Sequence, residues 1–245
     1  SKLLPGYDFA GGNGSADALA LANDGDGRDN DPSDPGDWIT AAETNAAGGP
    51  FQGCGNYDVN GDATLKADSS WHGTQVSGVI AAITGNGAGM ASVGRGVMLL
   101  PVRVLGKCGG YDSDILAAML WAGGIEATPS ANPNPARVVN LSLGSADSCD
   151  PAAIPKNNAP LYIDAISRLN AAGVVVVAAA GNDGLTVGMP ANCPGVIAVA
   201  GVRHAGTKVG YSDLGSAIAI AAPAGNCVNS SGACLYPLLT TSNTG

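Results

Sequence analysis

An α/β fold with a mostly parallel sheet and helices on both faces follows from two features of this 245-residue sequence. From His72 onward, apolar runs that suit strands alternate with segments that suit helices, and such alternation builds parallel sheets through crossover connections. The strand runs are also continuously apolar rather than alternating, the pattern of strands covered on both sides. A hydrophobic content of 45% supplies a core, and the length suits one α/β domain.

In chain order, residues 5–70 are rich in Gly, Asp, Asn and Pro with little periodicity, and read as long loops. Loops of that length inside a compact domain carry function or ions. Residues 72–84 read as a helix, and the Val- and Leu-rich run Val97–Leu105 as a strand. Asp112–Trp121 is a helix with Asp112 or Ser113 near its start. Arg137–Leu143 is a strand, Leu161–Ala172 an amphipathic helix and Val174–Ala180 a continuous apolar strand. Val196–Val202 and Ala217–Ala221 complete the set. In such sheets, sites form beyond the carboxyl ends of the strands. That rule selects residues 106–111, 142–145 and 181–184.

Composition narrows the function classes. Charged residues make up 13% of the chain, about half the usual ~25%. A net charge of -9 argues against nucleic acid or an anionic membrane as partner and suits a secreted protein that binds cations. No apolar run reaches the roughly 18–20 residues of a membrane span. The segment Ser1–Pro5 has no signal-peptide anatomy, so a targeting segment is expected to have been removed or never included. Six dispersed cysteines without a C-x-x-C pair read as disulfides of an oxidising compartment, with free buried thiols as the alternative. Of the fifteen pairings that six cysteines allow, the expected set is Cys54–Cys108, Cys149–Cys193 and Cys227–Cys234.

Three segments carry candidate chemistry. His72, in Ser70-Trp71-His72-Gly73-Thr74, is one of two histidines and stands at the mouth of an apolar helix. Imidazole is the usual proton carrier near neutral pH. Asn182 follows the buried strand in Ala179-Ala180-Gly181-Asn182-Asp183-Gly184. Its amide can donate to a developing oxyanion, although Asn-Asp-Gly is also ordinary turn chemistry. Asn140-Leu141-Ser142-Leu143-Gly144 ends a strand in small residues whose backbone could pair with an extended peptide.

Taken together and in this order, the His-Gly-Thr, Asn-Leu-Ser-Leu-Gly and Ala-Ala-Gly-Asn segments resemble those of the subtilisin-like serine peptidases. Gly27-Arg28-Asp29 to Trp38, Pro101–Gly106 and the cysteines look most like secreted bacterial members. The resemblance spans about Leu4 to Gly245. It implies a subtilisin-like fold, a secreted endopeptidase acting as a monomer, and an extended protein or peptide substrate. His72 would be the general base of a Ser-His-Asp mechanism, and Asn182 a donor of the oxyanion hole. Ser142, Leu143 and Gly144 would line one wall of the pocket for the residue before the scissile bond, and Ala179, Ala180 and Gly181 the other. Gly188 would sit at the pocket floor, leaving room for a large side chain. Gly110 and Tyr111 would border a more distant subsite.

The chain departs from that family pattern in two places. The Asp-Thr-Gly or Asp-Ser-Gly turn that holds the family's acid is absent, and so is the Gly-Thr-Ser-Met-Ala helix start that holds its nucleophile. The 245 residues are therefore expected to be an interior part of a longer enzyme and inactive alone. The competing expectation is a non-catalytic subtilisin-like domain that binds peptides or a partner. A nucleotide-binding protein is disfavoured, because Gly85, Gly87 and Gly89 follow a helix and do not complete a dinucleotide motif. His204, in a polar connection, reads as a surface residue. Asp24, Asp26, Asp29, Asp31, Asp34 and Asp37 crowd one glycine-rich stretch. Six carboxylates so close repel one another, and a structural calcium ion would relieve this. Many secreted members of the family bind calcium in surface loops, in line with that expectation.

Overall fold

The computed structural model describes residues 2–12, 14–55, 67–150, 158–225 and 235–243. They form two compact units, Ser1–Ala118 with Thr240–Gly245, and Met119–Leu239.

In the first unit the Gly- and Asp-rich stretch is more ordered than its composition suggests. It contains a strand, β1 (Tyr7–Asp8), and two short helices, α1 (Ala16–Ala22) and α2 (Ala41–Asn45). Each helix begins at a local cap. Ser15 accepts from the N–H of Ala18, and Thr40 and Glu43 form a reciprocal capping box. Both caps are written in the sequence, but the helices are too short for apolar periodicity to reveal them. The run expected as one long strand over Val97–Leu105 contains a strand only at β2 (Val102–Arg103), parallel to β1, with an isolated bridge from Leu3 to Leu99. The pairing partner sets that length, because β1 is itself two residues long. Arg103 is buried between its neighbours. Its Nη1 donates to Oδ2 of Asp8 and of Asp24, 2.5 Å each, and its Nη2 donates to the Ala22 carbonyl. A buried cation needs such acceptors, and two carboxylates and a carbonyl meet both Nη groups while the buried Nε has no partner. Lys107 is also buried, bonded to Glu43 at 2.7 Å and lying over the rings of Trp38 and Phe51. The Cys54–Cys108 disulfide closes this region.

Helix α3 (His72–Ala81) ends before the expected residue 84. Its packing is close because Gly78 has no side chain. A Cβ there would fall onto Thr240 and Thr241, whose hydroxyls donate to the carbonyls of Gln75 and Thr74. Helix α4 (Asp112–Ala122) carries the chain from the first unit into the second.

The second unit is built on four parallel strands, β3 (Val138–Leu141), β4 (Val175–Ala179), β5 (Val196–Val202) and β6 (Ile218–Pro223), paired in sequence order. Helix α5 (Ala159–Ala171) makes the crossover from β3 to β4 and packs on β4. Its buried residues Tyr162, Ala165, Ile166 and Leu169 recur at helical spacing. Val139, Leu141, Val176, Ala178 and Ala198 form the buried face of the sheet. A parallel sheet with helices packed on it agrees with the expected α/β class. Val138, Val175 and Ile197 on the opposite face are 56, 40 and 40% exposed. An apolar run records that both faces avoid water but not which layer covers them. The Cys149–Cys193 disulfide is formed here, whereas Cys227 and Cys234 lie outside the described residues.

Candidate active-site residues and family

His72 is the first residue of α3 and is exposed. The residue before it, Trp71, lies in the left-handed region at φ 52°. A bulky side chain adopts that conformation only where its surroundings impose it, and here they do. Asp37 accepts from the Ser70 N–H at 2.6 Å through Oδ1 and from the Ser70 hydroxyl at 2.7 Å through Oδ2. Ser70 Oγ in turn accepts from the His72 N–H at 3.3 Å, and the Gln75 amide donates to the Ser70 carbonyl at 2.9 Å. The antiparallel bridge Ile39–Ala67 holds the two chain segments side by side. Asp37 is thus an anchor for the helix start that presents the imidazole.

Asn182 is exposed in the turn that follows β4. Gly181 has φ 117°, and a Cβ there would fall onto Oδ2 of Asp213. Asp213 is only 4% exposed. Its Oδ1 accepts from the N–H of Asp183 at 3.0 Å and of Leu185 at 2.7 Å, and its own N–H donates to the Gly181 carbonyl at 3.1 Å. Gly184 donates to the Tyr211 carbonyl at 2.7 Å, and Leu214 to the Leu185 carbonyl at 3.0 Å. Nothing in the sequence around Tyr211-Ser212-Asp213-Leu214 signals this role, because the partners lie about thirty residues upstream.

Leu141 and Ala178 are register partners in the parallel β3–β4 pair. The chain therefore leaves both strands at the same end, from β3 into Ser142–Gly144 and from β4 into Ala180–Gly181. Ser142 Oγ accepts from the Asn140 amide at 3.0 Å. Ser145 donates to the Met189 carbonyl at 2.8 Å, and Met189 to the Asp147 carbonyl at 2.9 Å. A Cβ at Gly188 would fall onto the Ser145 carbonyl, so its lack of a side chain lets the two backbone segments pack. Asn192, which the sequence did not single out, bonds the carbonyls of Asp147 and Val187 and accepts from the Cys149 N–H. Gly110 and Tyr111 follow the tight turn Gly106–Gly109 just ahead of α4. A Cβ at Gly110 would meet the Val104 carbonyl, and Tyr111 is partly exposed.

The six aspartates expected to hold calcium do not converge. Asp24, Asp29, Asp31 and Asp34 each accept from the N–H two residues on, at 2.8–3.3 Å. Asp24 also binds Arg103, Asp37 is committed to Ser70, and Asp26 is exposed. Among the described residues no three His, Cys, Asp or Glu side chains are grouped as a metal would need. The carboxylate set does not fit the ion as arranged. The loop relieves its charge through backbone N–H groups and a guanidinium instead.

The comparisons agree with the geometry. Residues 45–245 match the model of the subtilase family. The chain is 44% identical over 226 residues to an extracellular protease of Xanthomonas campestris pv. campestris, covering 91% of this chain and 34% of that protein. It is 39% identical over 232 residues to an extracellular basic protease of Dichelobacter nodosus, covering 93% and 34%. A solved structure of proteases from Pseudoalteromonas arctica superposes with a TM-score of 0.75 at 42% identity, covering 91% of this chain and 57% of that one. The chain thus spans about a third of the length of the two extracellular proteases it matches. With an α/β fold shared with that structure and a family match running through both compact units, the chain belongs to the subtilase family.

Proposed function

We propose that this chain is part of the single peptidase domain of a secreted, monomeric serine endopeptidase that hydrolyses peptide bonds in extended protein segments. His72 is its general base and Asn182 a donor to the oxyanion. The observation that carries this reading is the anchored, exposed placement of His72 at a helix start in a chain of the subtilase family. A base works when its ring is held at a fixed place and is open to substrate. The Asn182 amide stands in an equally defined turn, where a donor aimed at the developing negative charge lowers the barrier. Ser142–Gly144 and Ala179–Gly181 would bind the substrate backbone on either side.

No residue of this chain is assigned as nucleophile or as the acid that orients the imidazole. In this reading both come from the longer protein, and the 245 residues alone do not turn over peptide. The Asp24–Asp37 carboxylates are assigned no role in it. No helix among the described residues is long and apolar enough to cross a membrane, and the net charge of -9 disfavours an anionic surface.

The test compares the full-length protein with its His72→Ala variant, using peptide hydrolysis and labelling by a fluorophosphonate. The variant should lose about 10⁴–10⁶-fold in kcat. Undiminished hydrolysis by the variant would overturn the reading.

A further inference from the structure

We propose that Asp213 is a positioning residue for catalysis, acting through Asn182; the inference rests on the reading of Asn182 as an oxyanion donor. The geometry is specific. Asn182 is joined to its neighbours by two peptide planes. The plane before it carries the Gly181 carbonyl, and the plane after it carries the Asp183 N–H. Asp213 holds both, donating its own N–H to the first and accepting from the second through Oδ1. With the planes on either side pinned, φ and ψ of Asn182 are set by one residue. The same oxygen also accepts from Leu185, so the turn cannot rotate as a unit without breaking a second bond.

Three further observations favour positioning over a generic structural role. The carboxylate is buried, where bonds from N–H groups to an anion are strong and not shared with water. Gly181 can approach it only because it lacks a side chain and adopts φ 117°. Asn182 itself is left exposed, so everything that is fixed serves a group turned toward solvent. An oxyanion donor is useful in proportion to how little it must reorganise, and misplacement on the scale of an ångström is costly.

The experiment is a double-mutant cycle in the full-length enzyme. Asp213→Ala, Asp213→Asn, Asn182→Ala and the Asp213→Ala/Asn182→Ala pair are compared for kcat and KM well below their melting temperatures. Asn182→Ala should lower kcat about 10²–10³-fold. Asp213→Ala should lower kcat about 10–100-fold, with KM nearly unchanged. Asp213→Asn keeps an acceptor oxygen and should recover most of that loss. Decisively, Asp213→Ala should cost almost nothing further once Asn182 is alanine. If Asp213→Ala does not fold, Asp213→Ser runs through the same cycle with the same expected coupling.

Wild-type kcat in the alanine variant, or an equal loss in both backgrounds, overturns the Asp213 inference while leaving Asn182 in its role. Wild-type kcat in Asn182→Ala overturns the oxyanion reading itself, and the inference with it.

Discussion

Two aspartates hold the two candidate catalytic groups of this chain, and they do so in opposite surroundings. Asp37 binds Ser70 at the protein surface and thereby fixes the start of α3 under His72. Asp213 sits almost fully buried and fixes the turn that carries Asn182. The bonding is similar, one carboxylate satisfying two donors. At the surface, water competes for the same donors, and the bonds add little net stability. In the interior no substitute exists, and a donor left unpaired costs its full desolvation. The buried brace should therefore be the less replaceable of the two.

The largest effect is expected at Gly181. Gly181→Ala would place a methyl on the Asp213 carboxylate at a φ that alanine rarely adopts, and should cost about 3–5 kcal/mol in chemical denaturation. A cost below about 1 kcal/mol would show that the buried brace yields easily, and the comparison would fail. At the surface, Asp37→Ala should cost no more than about 1 kcal/mol. Its effect on activity should be a modest loss of kcat/KM as the helix start gains freedom. A loss as large as that from Gly181→Ala would erase the distinction between the two anchors.

The smallest effect lies at Glu43, an intermediate case with its carboxylate partly covered against Lys107. Burial pushes this carboxyl up, but its bonds to the Lys107 ammonium and to Thr40 outweigh burial and bring it down to about 2. A carboxyl depressed in the fold contributes stability that is present above its unfolded value and lost as pH falls through its folded one. Melting temperature should therefore drop between pH 4.5 and about 2 partly through this group. Glu43→Gln should show a shallower acid limb over that window. An unchanged limb would show that the Lys107 pair contributes nothing there.

The acidic loop teaches the same lesson from the other side. Read as a string, Asp24 to Asp37 looks like a ligand set, because the spacing of carboxylates is all that a string displays. In the fold, four of them bind the N–H two residues ahead, one also meets a guanidinium and another anchors Ser70. Turn formation and ion binding call for the same residue types. Only the directions of the carboxylates separate the two.

Most of the regular architecture was legible in the chain before its fold. Strands β3 to β6 and helices α3 to α5 fall within a few residues of their expected places, because each carries a long apolar pattern or a recognisable end. The His-Gly-Thr and Ala-Ala-Gly-Asn segments likewise announce themselves through local order. Two of the disulfides, Cys54–Cys108 and Cys149–Cys193, pair as expected. Local signals suffice wherever one segment's side chains state its preference for burial or for a turn.

What the chain could not state in advance is any property that belongs to two distant segments at once. The length of β2 depended on β1, the close approach at Gly188 on the carbonyl of Ser145, and the conformation of Asn182 on Asp213. Asp37 could be a ligand or an anchor until Ser70 came within reach of it. Such contacts are chosen by packing across the fold, where a hydrogen bond or a missing Cβ acquires meaning only from what lies opposite.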